Sequence, residues 1–139
     1  MPSCGKHLRN AERHYNAAVV AAERQETRSW AAVALFYSAH QLVHAVLDGE
    51  TVLALGMRHP ETHGGEEGTS TLVSKLYRPI AIAYKSLFGA GLAVRYAGQA
   101  VTEADLRGYF DVDYAVIREW AVKKLRDQGR QIPEGFLTI

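Results

Sequence analysis

At 139 residues the chain is long enough for one domain with a real hydrophobic core and no covalent staples. It is 47% hydrophobic and 22% charged with a net charge of +1, which excludes a broad cationic surface that coats nucleic acid indiscriminately. A local basic patch on a few phosphates stays open. Cys4 is the single cysteine, so neither a disulfide framework nor a cysteine-based zinc site is available. The N-terminus turns polar at once and no apolar run is expected to reach membrane-span length, so the cytoplasm is the expected compartment.

Helical periodicity dominates from the start. Between Lys6 and Arg24, Leu8, Ala11, Tyr15, Ala18, Val19 and Ala22 recur at three- and four-residue steps and mark one apolar face. A second helix is predicted from near Thr27 to about Leu47, with Trp30, Val33, Phe36, Tyr37, His40, Val43, His44 and Leu47 on its stripe. Asp48-Gly49 is its stop signal, and "TVLAL" has room for one more turn. The stretch "GMRHPETHGGEEG" (56–68) then breaks the helix with one proline and four glycines.

"TSTLVSKLY" restarts a helix with Thr69 or Ser70 as its cap. Pro79 should kink or split that segment, because it lacks an amide hydrogen and clashes with the preceding turn. The pattern resumes through Ile80, Ala83, Tyr84 and Leu87 to about Tyr96, and "AGQAV" is a turn. Thr102 caps a last long helix, with Glu103 and Asp105 in its first turn and a stripe of Leu106, Phe110, Tyr114, Ile117, Ala121 and Leu125. No segment reads as a strand. The expectation is an all-α, up-and-down bundle of four to five helices in a single domain spanning 1–139, with a core over about 5–128 and a short tail at 129–139.

Three clusters are candidates for chemistry. His40, His44 and Asp48 stand at four-residue steps on one helix face, where two histidines can share a metal. Without a Glu after His40 the pattern lacks the specificity of a metalloprotease motif, so the expected metal set is none and the histidines are expected to hydrogen-bond to backbone or tyrosine hydroxyls. Arg58 and His63 form an Arg-x4-His spacing. A histidine can move a proton and an arginine can hold a phosphate, which together suit metal-independent RNA cleavage. Arg95-Tyr96, at a helix end, offers a cation beside a stacking ring.

In order and spacing, "WAAVALFYSAHQLVHAVL" (30–47), "HPETH" (59–63) and "YKSLFGAGLAVRYAG" (84–98) resemble the HEPN superfamily, over roughly residues 5 to 126. The resemblance implies a four- to five-helix bundle, usually a homodimer. Many members are metal-independent ribonucleases of toxin–antitoxin and defence systems, with an Arg…His motif from each subunit meeting at the interface. Others bind RNA or nucleotides, or serve as scaffolds. The family's Arg…His pair opens a late helix, yet the last helix here holds no histidine; the Arg-x4-His at Arg58–His63 lies in the loop after the second helix.

The expected function is therefore an RNA- or nucleotide-interacting module without cofactor. The alternatives are an endoribonuclease using Arg58 and His63, and a non-catalytic dimeric scaffold. Tyr37, His44, His59, Arg95 and Tyr96 are the expected binding residues, with His63 reaching toward Arg95. A homodimer, RNA or a nucleotide, and a nucleotidyltransferase- or antitoxin-type protein are the expected partners.

Overall fold

The structure, a computed structural model, describes residues 4–51, 53, 58–61, 68–132 and 136. Among them the chain forms α1 (Cys4–Ala22), α2 (Arg28–Asp48), α3 (Thr69–Leu76), α4 (Arg78–Ala97), α5 (Glu103–Gly108), a π-helical turn (Tyr109–Tyr114) and α6 (Ala115–Asp127), with no strand. Backbone angles stay right-handed through Gly108 and Ala115, so α5, the π turn and α6 make one continuous rod.

Paired contacts give the directions. His7 meets Gln41 while Ser38 meets Ala11, so α1 and α2 run antiparallel, as a five-residue connection requires. His40 meets Tyr84 while Tyr37 meets Arg95, so α4 runs antiparallel to α2. Ser86 bonds Asp113 while Tyr77 packs on Trp120, which turns the last rod back again. The result is the expected all-α, up-and-down bundle, with α3 as a short lead-in to α4.

Two local signals work as expected. The helix breaks at Tyr77, and Pro79 sits in the first turn of α4, where its missing N–H costs nothing. Thr102 accepts from the Asp105 amide at 3.0 Å while the Asp105 carboxylate accepts from the Thr102 N–H, a closed capping box. At the end of α4, Gly98 takes φ +62°, a left-handed angle that glycine adopts without strain.

Four details differ from expectation. Thr69 is not a cap: Gly68 holds that position, and Thr69 is fully buried with its hydroxyl on His44. The tail after residue 128 is not idle, since Ile132 and Phe136 lie against the core.

The third difference is α2, which is buried over most of its surface from Ala31 to Leu47, with Ala34, Tyr37, His40 and Gln41 partly covered and Trp30 54% exposed. The helix is long and apolar enough to cross a membrane, contrary to the expectation that no run would be. Its apolar side chains are instead consumed by packing against α1, α4 and the last rod.

The fourth is the π turn. It spans Tyr109–Tyr114, and Leu106 just before it and Tyr114 at its end are both buried.

The core contains one buried polar link across three elements. Ser38 donates to the Ala11 carbonyl at 2.6 Å, so Tyr114 donates to Ser38 Oγ at 2.7 Å. Tyr114→Phe should cost about 1 kcal/mol by urea denaturation, the net worth of one such bond, whereas Leu42→Ala, which empties a fully buried site, should cost about 2–5 kcal/mol.

Candidate functional site

Tyr37, Gln41, His44 and Asp48 recur at three- to four-residue steps along α2 with His40 beside them, and in a largely buried helix each polar group is stabilised by a partner. Those partners divide the polar seam into two ends.

At the C-terminal end of α2 the last carbonyls have no intrahelical donor. Arg58 supplies one: its Nη2 donates to the Asp48 carbonyl at 2.6 Å and its Nε at 3.2 Å. A cation there also suits the negative end of the helix dipole. The Asp48 carboxylate, 16% exposed, faces His59 Nε2 at 3.3 Å and Arg130 at 3.5 Å through its two oxygens. Gln128 adds bonds to the Val46 carbonyl at 3.1 Å and to Glu50 at 3.0 Å, across Gly49, where a Cβ would collide with the Gln128 amide. Two separate stretches of chain, at 58–59 and 128–130, are thus tied to one helix end. Buried Cys4 lies near this junction; burial pushes its thiol pKa up, and Arg130 acts against that shift.

One and two turns earlier the histidine rings cluster, tilted against one another. His40 and His44 have ring centroids 4.2 Å apart, and His7 of α1 lies 5.5 Å from His44. His44 Nε2 bonds Thr69 Oγ1 at 3.1 Å, and His40 Nδ1 bonds the Tyr84 hydroxyl at 3.0 Å. The tyrosine partner of His40 is of the kind the sequence suggested, whereas the threonine partner of His44 was not expected. Among the described residues no three His, Cys, Asp or Glu side chains converge on a metal position. His7 donates from Nδ1 to Gln41 at 2.6 Å, and its buried Nε2 meets no partner among the described residues.

The other end lies about 16 Å along α2, eleven residues back from Asp48. There Arg95 Nη1 donates to the Tyr37 hydroxyl at 2.6 Å and its Nε to the Gly91 carbonyl at 3.3 Å. The guanidinium carbon sits 5.4 Å from the Tyr37 ring centroid and 5.1 Å from that of Tyr96, within cation–π range of both. His14 of α1 closes the group at 5.9 Å from Tyr37. Tyr96 is 77% exposed.

The structure therefore brings Arg95, Tyr96 and Tyr37 together, and brings Arg58, His59 and His44 to the opposite end. His63 lies outside the described residues. Neither His7 nor Arg130 figured among the sequence candidates. For His7 a signal existed, since 7, 11, 14 and 18 form a helical stripe; for Arg130, past the last helix, none did.

No family model, curated protein or solved structure matches this chain.

The His7 environment sets a pH dependence. Burial holds its pKa below the ordinary 6.5; the bond to Gln41 and the Asp48 charge oppose that shift, while His59 and Lys6 add to it. A depressed histidine pKa means the unfolded chain takes the proton more readily. Its contribution to stability is therefore full above pH 6.5 and falls away as the pH drops through the folded-state value. Thermal melts should show a Tm that declines from pH 7 to pH 5, with a shallower slope in His7→Phe. A residual slope should remain from His14, whose pKa is lowered by burial and by Arg13.

Proposed function

We propose that this chain is a non-catalytic, HEPN-like helical module that binds single-stranded RNA or a nucleotide at Tyr96 and Arg95. The observation that carries the reading is the exposed Tyr96 ring backed by a guanidinium that Tyr37 and Gly91 hold in place. A base can stack on the free face of that ring, and the outer edge of the guanidinium supplies charge to a nearby phosphate. A fixed Arg–Tyr pair loses little side-chain entropy on binding, which favours recognition over a loose surface cation.

The geometry at the other end argues for binding rather than turnover. Arg58, the cation a ribonuclease reading needs, is spent on the Asp48 carbonyl, and the last helix has no histidine. The resemblance extends the proposal to a homodimer, with a nucleotidyltransferase- or antitoxin-type partner in a toxin–antitoxin or defence setting.

Fluorescence anisotropy with labelled single-stranded RNA in EDTA tests this reading. Binding should weaken with salt, and Tyr96→Ala should reduce affinity by about 5- to 100-fold, the range for one lost base stack. Arg95→Ala should weaken binding and flatten the salt dependence. Undiminished affinity in both variants would sink the proposal. Cleavage in EDTA that disappears in His63→Ala would replace it with the ribonuclease reading.

A further inference from the structure

The second half of α1, the start of α2, α5 and the π turn enclose a groove of about 350 Å³ that shares no lining residue with the Arg95–Tyr96 surface. Its floor is apolar and aromatic. Tyr15 and Phe110 meet edge to face with centroids 5.9 Å apart and an interplanar angle of 70°, and buried Leu106 lies beside them. Tyr15 is in turn stacked on Tyr114 at 5.1 Å, so the floor is the outer layer of the core rather than a loose surface patch.

Four charged side chains line the same groove: Arg28 from the start of α2, and Glu103, Arg107 and Asp111 from the last rod. The last three follow at four-residue steps, and Glu103 stands one turn ahead of Arg107, a spacing at which ion pairs form readily. Nevertheless none of the four makes an ion pair among the described residues. Phe110 and Asp111, side by side in the π turn, both line the groove.

The charge pattern selects the ligand. An anion without a positive group meets Glu103 and Asp111 as well as the arginines, and a cation without a negative group meets the arginines. A molecule that carries both charges close together satisfies both sets, and an aromatic group joins the Tyr15–Phe110 pair in a further edge or offset contact. The volume suits a molecule with one or two fused rings. From this geometry we infer that the groove is a binding site for a small aromatic zwitterion of the amino-acid type. Its carboxylate lies toward Arg28 and Arg107, its ammonium toward Glu103 and Asp111, and its ring on Phe110. The site is independent of the nucleic-acid surface at Tyr96.

Calorimetric titration of the full chain with L-tryptophan, L-phenylalanine and L-tyrosine tests the inference, with three truncated probes beside them. Indole-3-propionate lacks the ammonium, tryptamine lacks the carboxylate and glycine lacks the ring. The expected result is one-to-one binding of at least one aromatic amino acid. Affinity should fall about tenfold or more on loss of either charged group, as for deletion of a charge-assisted hydrogen bond. Arg107→Ala, at an exposed position, and Arg28→Ala should lower affinity by a similar factor while leaving the Tm near that of the parent. The inference fails if none of the three amino acids binds at millimolar concentration. It also fails if a probe lacking one charge binds as tightly as its parent, or if both arginine variants bind unchanged.

Discussion

The constraint on which this structure depends is the burial of α2 over most of its surface. A helix so largely covered keeps a buried polar side chain only where a neighbour supplies the missing hydrogen bond, because an unanswered buried polar group costs about 1–3 kcal/mol. The partners of α2 therefore come from the whole chain. Ala11 and Tyr114 answer Ser38, Tyr84 answers His40, His7 answers Gln41, Thr69 answers His44, and Arg58, His59 and Arg130 answer Asp48. These contacts fix which face of each surrounding helix turns inward, a choice that apolar packing alone leaves loose.

The same constraint separates the molecule into two chemically different ends. Near Asp48 the charges face one another and are half-buried, so their energy goes into holding the 58–61 stretch and the C-terminal stretch against the helix. Near Tyr37 the single cation lies between two rings, one of them open to solvent. The first arrangement is closed on itself and the second still has a face to offer. This contrast, rather than the presence of arginine and histidine as such, is why ligand binding is assigned to Arg95 and Tyr96. The groove beside the π turn adds a third kind of surface, apolar below and charged with both signs at its edge.

The expected helices, their number and their order were legible because they rest on local rules. Apolar spacing marked α1 and the last rod, Pro79 marked the split before α4, and Thr102 with Asp105 formed the predicted cap. The site was legible only in part. Arg95-Tyr96 stood out as a pair, but its third member, Tyr37, is 58 residues away and looked like one more residue of a stripe. Arg58 read as a free catalytic cation because nothing local says that it reaches the end of the preceding helix.

The sequence alone determined that this chain makes long helices with apolar stripes, since periodicity, caps and breakers act within a few residues of each other. Only the tertiary structure decided that α2 lies at the centre of a bundle, covered well beyond one stripe. It also decided that Thr69 serves a histidine rather than a helix end, and that Arg58 and Arg95 work at ends about 16 Å apart. Those outcomes depend on which side chains from distant stretches arrive opposite one another. Burial makes every such meeting energetically decisive, and no short window of sequence contains both partners.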